Sequence, residues 1–110
     1  MIIYGISSCD TVRKARKALD GAGHSPAFRD VRAEPLTAAE TAEFETAFGD
    51  KIVNRASTTW RGLSEGERAA PVADLLGAHP ALMKRPVIRE GDKLTLGWTP
   101  AVQAQWLSPE

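Results

Sequence analysis

Apolar side chains open the chain as a short run, Ile2-Ile3-Tyr4, and Gly5 ends it. A run rich in β-branched and aromatic residues and stopped by glycine predicts a buried strand over residues 1–5. From Thr11 to Ala22 the spacing changes. Val12, Ala15, Ala18, Leu19 and Ala22 recur at helical intervals, and Arg13, Lys14, Arg16 and Lys17 cover most of the other face. This pattern predicts an amphipathic helix, stopped by Gly21 and Gly23. Residues 26–31 predict a second strand, which Pro35 breaks. Strand, crossover helix and strand within about thirty residues make a βαβ unit, which implies a parallel pair.

The middle of the chain reads as helical. Thr37 and Glu40 have capping-box spacing, Leu36 sits where a staple residue would, and Phe44, Ala47 and Phe48 line one face before Gly49. Ser64 and Glu67 repeat that spacing ahead of Val72, Leu75 and Leu76, with Pro71 suited only to the first turns. A short helical turn follows His79-Pro80 through Met83, and Pro86 returns the chain to extended structure. Val87-Ile88 and Lys93–Leu96 then predict a hairpin around an Arg89-Glu90-Gly91-Asp92 loop. Thr99 and Pro100 are a cap and first position for a last helix that buries Val102 and Trp106. A βαβ unit joined to a ββα unit is the plan of the thioredoxin-like α/β fold. The expectation is one domain over residues 1–110, enlarged by a helical insertion at about 35–83.

Length and composition agree with that picture. A chain of 110 residues, 43% hydrophobic and 25% charged, is ordinary globular usage and can bury a core. Fourteen basic and fourteen acidic residues cancel, so the long-range field of a non-specific nucleic-acid binder is missing. No apolar run approaches the roughly 18 residues of a spanning helix, and neither nucleic acid nor membrane is an expected partner. With one cysteine, an internal disulfide and a structural cysteine-based zinc site are excluded, and no metal is expected. A lone thiol fits a reducing compartment. Eight residues precede Cys9, none of them basic, which leaves no room for a secretory leader. The expected location is the cytoplasm.

Cys9 is the candidate for chemistry. It lies in the turn between the first strand and the first helix, where backbone N–H groups lack internal partners and the helix dipole is positive. A thiolate there is stabilised and its pKa falls. Asp10 and Thr11 belong to the same helix start; the Asp10 carboxylate opposes the thiolate or else caps the helix. The bland alternative is a buried, inert cysteine. Position 12 is valine, so the dithiol Cys-x-x-Cys pair is absent, and position 15 is alanine, so the Cys-x5-Arg loop of tyrosine phosphatases is absent too.

Several segments in order resemble one family. They are Ile3-Tyr4-Gly5-Ile6 before Cys9-Asp10-Thr11-Val12, then Lys14-Ala15-Arg16-Lys17, then Asn54-Arg55 with Thr58-Thr59-Trp60-Arg61. His79-Pro80-Ala81-Leu82, Lys84-Arg85-Pro86-Val87 and Leu96-Gly97 with Thr99-Pro100 complete the set. Together they resemble the arsenate reductase (ArsC)-related proteins, which include the Spx regulators, and most of all the YffB type. The resemblance implies a monothiol oxidoreductase in which Cys9 is the nucleophile and an external thiol resolves its adduct. Glutathione is then a co-substrate and glutaredoxin a possible partner, with no bound cofactor. It further implies that Arg55 and Arg85 bind the anion and converge on Cys9, and that Arg85-Pro86 is the dipeptide with a cis proline.

One departure bears on activity. The arsenate reductases carry a third arginine immediately before the proline matching Pro100, and this chain has Thr99 there. Losing one of three cations weakens an oxyanion site, so arsenate reduction is not the expected activity, whereas thiol chemistry with glutathione is less affected. Two other readings stand beside this one: an Spx-like regulator that binds RNA polymerase, and a family member that binds an anion or thiol without turnover. Spx regulators generally carry a Cys-x-x-Cys switch, which Val12 removes. His24 and His79 are expected to pack or cap, Trp60, Trp98 and Trp106 to line a core or groove, and the basic helix face to be solvated.

Overall fold

In the computed structural model, which describes residues 1–107, the two periodicities resolve into separate elements. They follow in the order β1 (Ile2–Gly5), α1 (Asp10–Gly21), β2 (Ala27–Asp30), α2 (Ala38–Phe48), α3 (Thr58–Arg61), α4 (Glu65–Arg68), α5 (Val72–Ala78), β3 (Val87–Glu90), β4 (Lys93–Leu96) and α6 (Pro100–Leu107), with 3-10 turns at Gly49–Ile52 and Pro80–Leu82. The chain divides into two compact units. One comprises Met1–Asp30 together with the chain from Arg85 onward, the other Val31–Lys84.

The first unit carries the sheet, in strand order β2-β1-β3-β4. β1 runs parallel to β2 and antiparallel to β3, which pairs antiparallel with β4. This is the thioredoxin-like arrangement of a βαβ and a ββα unit. Ile3 stands opposite Ile88 in the β1–β3 register. Side chains at directly opposed positions share a face, and here they meet Val12, Ala15 and Leu19 of α1 and Val102 and Trp106 of α6 in one buried cluster. Trp106 satisfies its indole N–H on the Thr95 hydroxyl at 2.8 Å. Thr99 caps α6, its hydroxyl accepting the Val102 N–H at 3.3 Å.

The hairpin is tighter than the spacing predicts. Arg89 and Glu90 belong to β3 and pair with Leu94 and Lys93, leaving Gly91-Asp92 as a two-residue connection. Gly91 adopts φ 60°, the left-handed value that a primed hairpin turn requires at its first central residue and glycine accepts freely.

The second unit is helical. Thr37 and Glu40 form a reciprocal capping box at the start of α2, and Ser64 and Glu67 form another at α4. Thr41 and Phe44 are the buried residues of α2. Ala47, expected on that face, is exposed. The helix expected from Ser64 through Leu76 is two helices. Pro71 falls seven positions after the Ser64 cap, where its ring would clash with the carbonyl of the preceding turn and it has no N–H to donate. α4 therefore stops, and α5 begins after Pro71. Helix α3, capped by the Ser57 hydroxyl, has no counterpart in the hydrophobic pattern. Phe44, Ile52, Leu75, Leu76, Leu82 and Met83 are buried in this unit, and it is tied by a Val53–Met83 bridge. Among the described residues, no helix is long and apolar enough to cross a membrane.

Gly5 governs how closely α1 approaches the end of β1. A Cβ built there would lie 2.6 Å from Cγ2 and 2.9 Å from Cγ1 of Val12, nearer than carbon atoms pack. Gly5→Ala should destabilise the fold by about 1–3 kcal/mol, the usual range for overpacking, read as a lower urea midpoint. Because the clash is with Val12, the Gly5→Ala/Val12→Ala pair should lose less stability than the two single losses added together. Strict additivity would refute the contact as the cause.

Candidate active site

The turn after β1 delivers Cys9 to the N-cap position of α1, with extended backbone at φ −82° and ψ 121°. The Cys9 N–H donates to the Ile6 carbonyl at 3.0 Å, and the Arg13 N–H donates back to the Cys9 carbonyl at 3.0 Å. The turn is anchored at its other edge by the Ser7 N–H, which donates to the Asp30 carboxylate at 3.3 Å. Cys9 is half-buried, its thiol free, and it packs against the cluster around Val12 and Ala15.

A side chain at the N-cap faces the N–H groups of the second and third helical residues, here Thr11 and Val12. The sulfur makes no close capping hydrogen bond, but it lies within their field. Partial burial pushes the thiol up. The Val12 N–H, the Arg85 guanidinium and the Thr11 N–H pull it down and prevail, so Cys9 ionises below the ordinary thiol range. A lowered value means more thiolate at neutral pH, and the thiolate is the nucleophile.

Arg85 and Pro86 reach the site from the start of β3. The Arg85–Pro86 peptide is cis, Pro86 is buried, and its carbonyl accepts the Gly97 N–H at 2.8 Å. Val87 then pairs with Tyr4 of β1. Arg85, two residues earlier, is thus set by the sheet itself, with its Nε shut from water and its charge acting on Cys9.

Asp10 is the first residue of α1 and not its cap, because Cys9 holds that position. Its carboxylate is exposed and pairs with Arg13, and the Arg13 guanidinium holds it below the usual carboxylate range. The opposing charge expected beside the thiolate is therefore drawn to Arg13. Thr11 contributes its backbone N–H. The structure thus gathers Cys9, Asp10, Thr11, Arg85 and Pro86 in the first unit. Arg55 belongs to the second, where it is half-exposed, 3.9 Å from the Asp50 carboxylate and 5.3 Å from the centre of the Trp60 ring.

Val12 is the donor that the sequence reading missed. Its N–H is recognisable once Cys9, and not Asp10, is given the cap, because the third helical residue is then Val12. Nothing in the sequence pattern marks the Ser7–Asp30 contact. His24 donates from Nε2 to the Trp106 carbonyl at 2.7 Å, a capping role at the end of α6. His79 lies 4.0 Å from Glu67. Among the described residues, no group of three or more His, Cys, Asp or Glu is placed to hold a metal ion.

The ArsC family model matches residues 4–105. The chain belongs to the ArsC family. Among solved structures it is similar to the YffB protein, with a TM-score of 0.89 and 32% identity over 97% of this chain and 98% of that one. It is also similar to an arsenate reductase (ArsC) related protein of Brucella melitensis, with a TM-score of 0.76 and 36% identity over 98% of this chain and 94% of that one. The global transcriptional regulator Spx of Bacillus subtilis is 31% identical over 104 residues, 87% of this chain and 78% of Spx. The expected membership in the ArsC-, Spx- and YffB-related group holds, as does the thioredoxin-like fold.

If Arg85 and the helix amides share the thiolate's charge, Arg85→Ala should move the Cys9 ionisation to higher pH. The fold should persist, since the sheet pairing begins beyond that side chain. A titration followed by thiolate absorbance near 240 nm reads the shift directly. An unchanged midpoint would assign the stabilisation to the amides alone.

Proposed function

We propose that this ArsC-family protein is a monothiol oxidoreductase that uses Cys9 and glutathione to reduce a disulfide. The observation that carries the reading is the half-buried Cys9 thiol at the α1 cap, ionised below its ordinary range by Val12, Arg85 and Thr11. Cys9 is also the chain's single thiol, so its adduct must be resolved from outside.

The chemistry balances as thiol–disulfide exchange. The Cys9 thiolate attacks one sulfur of the substrate disulfide; a new S–S bond forms, the old one breaks, and the leaving thiolate takes a proton. A glutathione thiolate then attacks the sulfur of the retained half, which frees Cys9 and leaves that half as a mixed disulfide with glutathione. A second glutathione reduces this to thiol and glutathione disulfide. Two glutathiones supply the two electrons. Arg85, and Arg55 by its match to the family pattern, are assigned to anionic groups of the substrate or of glutathione, whose carboxylates fit the planar guanidinium fork. The cytoplasm, rich in glutathione, is the setting that such a cycle needs, and glutaredoxin is the expected protein partner.

Thr99 separates this reading from arsenate reduction. Its hydroxyl is committed to capping α6, and it brings no charge to a multiply charged oxyanion. The similarity to Spx supports a second reading, a regulator that binds RNA polymerase; purification of the polymerase with the tagged protein tests it.

Glutathione disulfide should convert the protein to a single mixed disulfide, located at Cys9 by mass spectrometry and absent from Cys9→Ser. Failure to form it in large excess of the disulfide would contradict the enzyme reading and favour a binding role. The unmutated protein should turn over arsenate poorly or not at all with glutathione and glutaredoxin. Thr99→Arg should raise that activity, by as much as about 10²-fold, the usual scale for one strong oxyanion donor. Robust arsenate turnover by the unmutated protein would contradict the role given to Thr99.

A further inference from the structure

Arg55 has little of its own to fix it. Its side chain is about half exposed, at 51%, and its ion pair with Asp50 spans 3.9 Å to a carboxylate that is itself 78% exposed. Exposed pairs of that length hold a long side chain weakly, and an incoming carboxylate can replace Asp50. The remaining contact is the Trp60 ring, whose centre lies 5.3 Å from the guanidinium carbon. A cation over an indole face is attracted by the ring quadrupole and stays charged, with its N–H groups at the edge still able to donate.

The backbone that carries the ring is held more firmly than the arginine side chain. The Trp60 backbone N–H donates to the Ser57 hydroxyl at 3.1 Å, and that hydroxyl donates to the Asn54 carbonyl at 2.8 Å. Asn54 in turn accepts the Ala56 N–H on its side-chain oxygen at 3.1 Å. The turn that carries Arg55 and the helix that carries Trp60 are thereby stapled together. Arg68 also grips the Trp60 carbonyl, with Nε at 3.2 Å and Nη2 at 3.1 Å, and its guanidinium lies 5.4 Å from the ring centre. Arg68 is committed to the backbone. Arg55 is not, and beside its loose pair with Asp50 the Trp60 ring is the contact that can give it a direction.

We propose that Trp60 is a positioning residue that orients the Arg55 guanidinium for an anionic group of the substrate. This rests on the anion-binding reading of Arg55. The ring acts through Arg55 and does not itself touch the substrate, so its contribution is to binding and not to the sulfur chemistry.

The test is single-turnover formation of the mixed disulfide at Cys9, with glutathione disulfide varied to saturation. Trp60→Leu should raise the half-saturating concentration about two- to fivefold, the scale of one exposed cation–π contact, and leave the limiting rate unchanged. Trp60→Phe keeps an aromatic face of weaker quadrupole and should give a smaller rise; it carries the test if the leucine variant does not fold. In an Arg55→Met background neither change should raise the value further. A rise that persists undiminished in that background, or none where Arg55→Met alone gives one, overturns the positioning role and leaves Arg55 in place. No effect of Arg55→Met overturns the reading of Arg55, and the role of Trp60 with it.

Discussion

Helix α1 starts where it does because residue 5 has no side chain. The methyl groups of Val12 occupy the place that a Cβ on Gly5 would need, so the first turn of the helix rests directly on the end of β1. Val12 is fully buried against Ile3, Ala15 and Ile88, which locks that turn to the sheet. With the two residues between Ile6 and the cap, Ser7 and Ser8, closed into a turn by the Cys9-to-Ile6 hydrogen bond, Cys9 has one place to go. The position of Cys9 is thus a consequence of core packing by Val12 in the same helical turn.

The electrostatics follow from that placement. Burial alone would keep the thiol protonated. Two helix amides and one arginine reverse the outcome, and the arginine comes from a part of the chain remote in sequence, brought alongside by the β1–β3 pairing at Tyr4 and Val87. The nearest carboxylate, Asp10, is taken up by Arg13 on the next turn. A basic residue on the solvated face of α1 therefore shields the thiolate from its own neighbour. Thr99 serves the fold as the cap of α6, and under the proposed function it stands where an arsenate reductase would place a third cation.

The elements of the first unit were legible because each has a strong local signal: an apolar run stopped by Gly5, a helical repeat of Val12, Ala15 and Leu19, and the Thr99-Pro100 start of α6. Cys9 was legible as a turn cysteine for the same reason. For Asp10 the sequence leaves two roles open, opposing the thiolate or capping the helix, because aspartate is a favoured cap; the cap falls to Cys9, one residue earlier, and Asp10 pairs with Arg13. The pattern around Pro71 suggested one helix, although a proline seven positions past a cap permits only two. Helix α3 was invisible because it buries no residue and depends on the Ser57 cap. Arg85 could be tied to the site only through the family motif, since no local rule foretells a contact between β3 and the start of α1.

The chain's single thiol makes the central claim directly measurable. Alkylation by iodoacetamide follows the thiolate fraction, so its rate against pH can be recorded on the native protein and again on the chain unfolded in urea. If the fold stabilises the Cys9 thiolate, the native profile inflects at lower pH than the unfolded one, and native Cys9 is the more ionised at neutral pH. Native and unfolded profiles that coincide, or a native inflection at higher pH, would contradict the account, leaving Cys9 an ordinary half-buried cysteine.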